Sequence, residues 1–252
     1  MGKKHKQNKF FSMKASADGK SADVFIYGEI TKYAWEEYGE MSSTMFKNEL
    51  DGLGEVDIIH LYINSPGGSV FEGVTIYNML KRHKARIIVH VDAVAASIAS
   101  VIAMAGDEVR MPSNSVLMIH NALIGPIWGN AQELRKHADD VERISQSSMT
   151  TYLGKAGDKL TEEKLQELLD AETWLSAEQA FDYGLCDVVE EANQMAASIS
   201  DDLFAKYKNV PEQYKQSQPS ASISAEALSE KQGIIEEIKQ NILYRNSILG
   251  GI

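Results

Sequence analysis

The chain of 252 residues contains a single cysteine, Cys186, so no disulfide can form within it. This is typical of proteins from a reducing compartment. The most apolar run, residues 93–105, is shorter than the roughly 20 residues that a membrane-spanning helix needs. The basic N-terminus also lacks the apolar stretch of a signal peptide. We therefore expect a cytoplasmic protein without a membrane partner, in which Cys186 is a small buried residue and not a nucleophile.

Positive charge is scarce as well, because 25 Lys and Arg stand against 36 Asp and Glu, which gives a net charge of -11. Nucleic-acid-binding proteins present basic surfaces, so this balance argues against a nucleic-acid partner. The 44% of hydrophobic and 24% of charged residues are ordinary for a globular protein with a sizeable core. The length fits one large domain with terminal extensions.

Composition divides the chain into three parts. Residues 1–22 are polar and basic and predict a mobile leader, with ordered structure from Asp23 onwards. Residues 23–191 carry the periodic patterns of a folded domain. Residues 192–252 predict a tail with a Ser-, Gln- and Pro-rich linker. Within it, residues 230–249 have isoleucines at helical intervals, which is typical of either a partner-binding helix or a weakly amphipathic tail.

In the central part, short apolar runs alternate with segments of helical periodicity. This alternation predicts an α/β fold with much parallel strand pairing. The expected strands are residues 24–30, 57–63, 86–91, 108–111, 116–119 and 186–189. The expected helices are residues 42–50, 69–83, 97–105, 134–153, 160–169 and 176–183.

Three places in the sequence contain residues that could bind a ligand or take part in catalysis. Gly67 and Gly68 follow a buried strand and would let the backbone approach a ligand closely, although such a pair is often only a turn. Ser97 opens a helix of small residues, where the helix dipole and the free N–H of Ile98 would favour a nucleophilic oxygen and its oxyanion. A helix-capping serine is the alternative. His120 ends an apolar strand, from which it could be aimed into a cleft.

A serine, a histidine and a carboxylate could form a catalytic triad, which is recognised by the roles of its members and not by their order in the chain. Spacing alone does not select the carboxylate among the 36 acidic residues.

Several blocks in the same order resemble the ClpP peptidase family, the proteolytic subunit of the Clp protease, over about residues 25–189. These blocks are residues 26–28 (IYG), 61–70 (LYINSPGGSV), 95–99 (AASIA), 118–120 (MIH), 175–180 (LSAEQA) and 183–187 (YGLCD). The resemblance implies a serine endopeptidase with Ser97 as nucleophile and His120 as general base. It also implies an oxyanion hole formed by the N–H groups of Gly68 and Ile98.

The resemblance further implies that a peptide binds as an added strand between residues 68–73 and 123–129. The substrate-binding residues would be Gly67, Ser69, Val70, Leu123, Ile124 and Gly125. The implied fold is the ClpP/crotonase-type spiral of ββα units, in which residues 134–153 form a protruding handle helix. The implied assembly is a homo-oligomeric ring, a hexamer or heptamer that can stack on a second ring. No metal and no cofactor is implied.

The sequence departs from the family at the third member of the triad. Glu172 occupies the position of the family's aspartate, and Asp170 lies two residues before it. A glutamate can still orient an imidazole, so we expect Glu172 to take the role, with Asp170 as the alternative.

Three further departures resemble the ClpP-related head maturation proteases of bacteriophages and prophages. The family's usual leader is not recognisable in residues 1–22, residues 129–130 replace a longer Gly-Gly-containing stretch, and the Ser-rich tail is additional. The resemblance to those proteases implies capsid or scaffold proteins as substrates and makes docking to a Clp ATPase doubtful. The alternatives are a catalytically inactive ClpP-like ring or scaffold subunit and a crotonase-fold acyl-CoA enzyme.

Overall fold

In the computed structural model, an eight-stranded sheet and six α-helices make up the described part of the chain. The described residues are 11–16, 19–34, 40–192, 207, 209 and 210. They belong to a unit that spans residues 1–216, and the predicted C-terminal helix lies outside the described residues.

The strands are β1 (Phe11–Ala15), β2 (Ser21–Tyr27), β3 (Ile58–Ser65), β4 (Arg86–Ala96), β5 (Glu108–Pro112), β6 (Val116–Ile119), β7 (Thr173–Ser176) and β8 (Val188–Glu190). The helices are α1 (Ser43–Gly52), α2 (Val70–Arg82), α3 (Ile98–Ala103), α4 (Ala131–Ala156), α5 (Glu162–Asp170) and α6 (Ala177–Asp182). A short 3-10 helix, Gly157–Lys159, precedes α5. Serine and threonine side chains cap several helices as expected, for example Ser42 at α1 and Ser176 at α6.

The strand order is β1-β2-β3-β4-β5-β8, and only the β1–β2 and β6–β7 pairs are antiparallel. The long strand β4 changes neighbours along its length. Its first half pairs with β5, and its last residues, from Val94 to Ala96, pair in parallel with β6. This confirms the predicted α/β class with parallel pairing, and it brings the C-terminal ends of β4 and β6 side by side.

The core forms around the central strands, whose residues alternate between buried and partly buried in β2 and are almost all buried near the end of β4. All six residues of α3 are buried, because their small side chains allow the helix to pack closely against the sheet. Helix α4 is different, since only Ser145, Met149, Tyr152 and Ala156 of its 26 residues are buried. The rest of this helix is partly or fully exposed, as the polar pattern predicted.

The structure corrects several expected boundaries. Strand β1 and the start of β2 lie within the segment predicted as a mobile leader, because β1 pairs with β2 from Phe11 to Ala15. Strand β7 was not predicted. Helix α3 is shorter than the expected 97–105, and Tyr207 and Val210, from the segment predicted as a tail, are buried against the domain. No helix among the described residues is both long and apolar enough to span a membrane.

Candidate active site

The turn after β3 packs closely against Ser97. Gly67 has a φ of +88°, and a Cβ placed there would lie 2.6 Å from the carbonyl oxygen of Ala96 and 2.8 Å from Cβ of Ser97. Gly68 has a φ of +144°, and its Cβ would lie 2.0 Å from the carbonyl oxygen of Ile30. Only glycine tolerates this conformation and this proximity together. The Gly-Gly pair is therefore more than a turn, since it places its backbone against the serine.

The turn is fixed by hydrogen bonds on both sides. The hydroxyl of Ser65 donates to the carbonyl of Gly28 at 2.6 Å and accepts from the Gly67 N–H at 3.1 Å. The N–H of Ile30 donates to Gly67, and the N–H of Ser69 donates back to the carbonyl of Ile30. Gly68 is thus held between two backbone bonds, which pre-organises its peptide group.

Ser97 lies on a sharp bend between β4 and α3. Its backbone has φ 56° and ψ -129°, an unusual conformation for a residue other than glycine. The N–H of Ser97 donates to the carbonyl of Met118 at 2.9 Å, which ties the bend to β6. A serine on a strained strand-to-helix turn has its hydroxyl projected away from the sheet, as in the nucleophile elbow of α/β-hydrolases.

His120 follows β6 directly and meets Ser97 across the edge of the sheet. Its Nε2 lies 2.7 Å from Oγ of Ser97, within the range of a good hydrogen bond. The contact results from the parallel pairing of β4 and β6, which places the residue after each strand at the same edge. The two residues singled out in the sequence are therefore brought together.

The two candidate acids have different surroundings. In the antiparallel pair of β6 and β7, Met118 is opposite Trp174 and Ile119 is opposite Thr173, so His120 and Glu172 are the next positions in this register. Glu172 has a φ of +50°, the second non-glycine residue with positive φ besides Ser97 in the described part of the chain. Asp170 instead accepts from Asn121 and from the side chain of Gln166, each at 2.7 Å. The strand that sets this register, β7, was missed because four residues show too little alternation.

A cavity of about 120 Å³ opens beside the Ser97–His120 pair. Its apolar lining comes mainly from Val70, Ile98, Val101 and Leu123, with Gly68 and Tyr152 also present. Of the six predicted substrate-binding residues, Val70 and Leu123 line this cavity, whereas Gly67, Ser69, Ile124 and Gly125 do not. Leu123 and Ile124 are 61% and 50% exposed, so they lie on an open edge next to the site.

Tyr207 is the residue at the site that sequence reasoning missed. Its ring lies edge-on to His120 at 5.5 Å and to Trp174 at 6.0 Å between centroids, and its hydroxyl donates to the carbonyl of Pro66. Burial raises the pKa of Tyr207, and a hydrogen bond with Ser97 works in the opposite direction. Its surroundings in the sequence are typical of a linker, and nothing in that composition pointed to the active site.

A second tyrosine lies behind the serine. The hydroxyl of Ser100 donates to the carbonyl of Ser97 at 2.5 Å and lies 2.6 Å from the hydroxyl of Tyr152 on α4. Burial raises the pKa of Tyr152, so this phenol stays protonated. Cys186, by contrast, is buried away from the site, and burial raises the pKa of its thiol to about 11. This confirms the prediction of a packed, unreactive cysteine.

A serine hydroxyl bonded to an imidazole at the edge of a largely parallel sheet defines the class, a serine hydrolase of α/β architecture. The model of the Clp protease family matches residues 14–193, and the chain belongs to that family. It is accordingly a ClpP-like serine peptidase, as the resemblance implied.

Curated relatives agree with this assignment. The chain is 34% identical over 128 residues to ATP-dependent Clp protease proteolytic subunit 1 of Chlamydia abortus, a match that covers 50% of the chain and 66% of the relative. It is 36% identical over 143 residues to subunit 2 of Prochlorococcus marinus, covering 54% and 69%. The corresponding subunit of Deinococcus radiodurans is 34% identical over 142 residues, covering 56% and 68%. The chain thus aligns with about two thirds of the length of these relatives. Tyr207 lies outside the residues that the family model matches.

Proposed function

We propose that the chain is an endopeptidase in which Ser97 attacks the peptide carbonyl and His120 takes its proton. The observation that carries this proposal is the 2.7 Å contact between Nε2 of His120 and Oγ of Ser97. The histidine then returns the proton to the leaving amine, and water attacks the acyl-enzyme by the same route in reverse. No step of this acyl transfer requires a group from outside the chain and the substrate other than water.

The oxyanion of the tetrahedral intermediate would be held by the N–H groups of Gly68 and Ile98. Gly67 supports this assignment, because its Cβ would lie 3.2 Å from the nitrogen of Ile98, which places the Gly67–Gly68 turn beside the first N–H of α3. Ile98 is the first residue of that helix, where backbone donors have no intrahelical acceptor. Donors of this kind are worth about 3–4 kcal/mol of transition-state stabilisation in measured cases.

Glu172 would be the third member, orienting the imidazole of His120 and stabilising the imidazolium. The register of β6 and β7 supports Glu172, and the two amides that engage Asp170 argue against that alternative.

A substrate would bind as an extended strand along Gly67, Ser69 and Val70 on one side and residues 123–125 on the other. The apolar lining of the cavity supports a large apolar side chain next to the scissile bond. Proteolytic subunits of this family form rings and act on proteins, and we propose a homo-oligomeric ring, hexameric or heptameric and able to stack, for this chain. The long exposed face of α4 and the exposed Trp128 and Leu134 near its start supply apolar contact surface for such a ring.

For the natural substrate we propose capsid or scaffold proteins of a phage or prophage. The support is the departure from the ClpP pattern at residues 129–130 and the additional Ser-rich segment that follows the domain. Co-expression with the capsid and scaffold proteins of a candidate phage or prophage should give discrete cleavage products that the Ser97→Ala variant does not give. Intact partners in both cases would refute this substrate.

The mechanism is tested with a fluorophosphonate probe, which labels activated serines. Ser97→Ala should abolish labelling, whereas Ser147→Ala, an exposed serine on α4, should keep it. An inactive ring subunit or an acyl-CoA enzyme would show no labelling in the unaltered chain, and labelling that survives Ser97→Ala would refute the nucleophile.

A further inference from the structure

Tyr207, Asn209 and Val210 contact three parts of the active site although they lie beyond the residues that the family model matches. We call these three residues together the latch segment. We propose that the latch segment is an intramolecular inhibitor, which a substrate must displace before Ser97 can be acylated. This inference rests on the proposed function of Ser97 and His120.

The latch segment is anchored by apolar packing next to the nucleophile. Tyr207 and Val210 are only 8% and 6% exposed. They form a small cluster that is separate from the main core. Its other members are Val94, Ala96 and Met118, with Trp174 packed against it. These partners lie at the ends of β4 and β6 and on β7, which are the elements that position Ser97, His120 and Glu172. The anchor is therefore on the wall of the active site itself.

Tyr207 also occupies space next to the nucleophile and the base. It lines the cavity together with Ser97 and His120, and its ring lies edge-on to His120 at 5.5 Å between centroids. Its hydroxyl donates to the carbonyl of Pro66, directly before the glycine turn. While the latch is closed, the phenol therefore takes up room beside Ser97 that a bound peptide would need.

Asn209 contacts the segment that carries the proposed acid, Glu172. Its backbone N–H donates to Oε1 of Glu172 at 2.8 Å, and its side-chain amide donates to the carbonyl of Ala171 at 2.9 Å. Oε1 of Glu172 is thus engaged by the latch segment while the latch is closed. The latch segment therefore lies beside the nucleophile and contacts the base and the proposed acid at once.

The latch can open because few contacts hold it in place. These contacts are a cluster of a few side chains, the buried hydrogen bond from Tyr207 to Pro66 and two exposed hydrogen bonds from Asn209. The Ser97–His120 contact and the glycine turn, in contrast, belong to the folded domain. An intramolecular ligand of this kind is maintained by its high effective concentration, and a substrate competes with it directly. The apparent affinity for substrate is then lowered by the fraction of molecules that are closed.

The test compares full-length variants in their rate of fluorophosphonate labelling and in the hydrolysis of a short fluorogenic peptide. Tyr207→Ala should raise the labelling rate about 10-fold, as expected if roughly nine molecules in ten are closed. For the peptide, KM should fall with kcat unchanged, because a competing group is removed. Tyr207→Phe keeps the ring but loses the hydrogen bonds to Pro66 and Ser97. Its labelling rate should therefore lie between that of the unaltered chain and that of Tyr207→Ala. Tyr33→Ala removes a tyrosine that is 76% exposed and should behave as the unaltered chain does.

Val210→Asp is a second way to open the latch segment, and it leaves the residues next to Ser97 unchanged. A carboxylate cannot remain in the cluster around Trp174, so the variant should also label faster. Labelling rates at or below that of the unaltered chain in folded Tyr207→Ala and Val210→Asp would overturn the latch. A fall in kcat for Tyr207→Ala would overturn it as well and would make Tyr207 a positioning residue. If Ser97→Ala retained labelling in the Tyr207→Ala background, the proposed function would fail instead.

Discussion

The hydroxyls of Ser100 and Tyr152 lie 2.6 Å apart in the core, one turn behind the proposed nucleophile. The Ser100 hydroxyl donates to the carbonyl of Ser97, so Tyr152 donates to Ser100 in turn. A chain of two hydrogen bonds therefore connects the bend at Ser97 with helix α4. The position of that helix therefore bears directly on the backbone of the serine.

The first prediction concerns this connection. Tyr152→Phe removes one buried hydrogen bond and leaves the hydroxyl of Ser100 without its donor, which should lower stability by about 1–2 kcal/mol. We expect kcat to fall by about 3- to 10-fold with KM nearly unchanged, since only the position of Ser97 is affected. Peptide hydrolysis and thermal unfolding measure the two effects. Tyr33→Phe, at an exposed position, is the control, and an unaltered kcat in Tyr152→Phe would show that the connection is structural only.

The second prediction concerns the acid. Glu172→Gln keeps the size of the side chain but removes the charge that stabilises an imidazolium, so turnover of a short peptide should fall at least about 100-fold. Asp170→Asn should change turnover by less than about 10-fold, because Asp170 is engaged with Asn121 and Gln166. The reverse pattern would assign the role to Asp170. If neither variant lost activity, the enzyme would work as a Ser–His dyad.

The third prediction concerns the glycine turn. In Gly68→Ala the added methyl would meet the carbonyl of Ile30 at a φ of +144°, so the turn must shift and the proposed oxyanion donor with it. We expect a lower melting temperature and a loss of peptidase activity of about 100-fold or more. Gly154→Ala, on α4 with no atom within 4 Å of the new methyl, should keep activity and melt at the same or a higher temperature. Full activity in Gly68→Ala would exclude its N–H from the oxyanion hole.

The fourth prediction concerns pH and stability. Burial raises the pKa of Asp92, and the hydrogen bond from Tyr27 opposes this only in part. A carboxyl whose pKa is raised on folding favours the folded state most below its unfolded pKa, and this contribution is lost as the pH rises through the folded value. Asp92→Asn should therefore raise the melting temperature at pH 7.5, and the gain should vanish near pH 3.5. Ser147→Ala, at an exposed position without a titratable group, should leave the melting temperature nearly unchanged at both pH values. A gain that was equal at both pH values would contradict this interpretation.

The fifth prediction concerns assembly. At micromolar concentration, mass photometry should show a ring of at least six subunits. Trp128→Asp places a charge at a side chain that is 95% exposed next to α4 and should shift the population towards smaller species. Tyr33→Asp, at another exposed aromatic residue, should leave the ring intact. A fully active protein that remained monomeric would refute the proposed chamber.

The local sequence was sufficient to predict those helices and strands whose position is set by capping residues and apolar periodicity. Helices α1, α2 and α6 begin within one residue of their predicted starts, because their capping residues and apolar spacing are local signals. The strands around residues 57–63 and 116–119 were recognisable for the same reason, and so were Ser97 and His120, each at the end of a buried strand. The fold class, the pair of candidate catalytic residues and their family resemblance were thus available from sequence.

The boundaries of some strands, and the strands with which they pair, could not be predicted from the sequence. Strand β7 is only four residues long and is defined by its pairing with β6, so its register, and with it the place of Glu172, comes from the sheet. Strand β1 forms in a polar segment because β2 offers it an edge. In both cases hydrogen bonds to a neighbouring strand outweigh weak local preference.

The sequence by itself determined that a serine and a histidine follow buried parallel strands, because strand patterns and glycine turns are encoded within a few neighbouring residues. Only the tertiary structure decided that Nε2 of His120 lies 2.7 Å from Oγ of Ser97, and that Tyr207 donates to the carbonyl of Pro66, a residue 141 positions away. Such contacts depend on which strand pairs with which and on where a polar segment finds an apolar surface. They arise from the packing of the whole domain, which no local pattern contains.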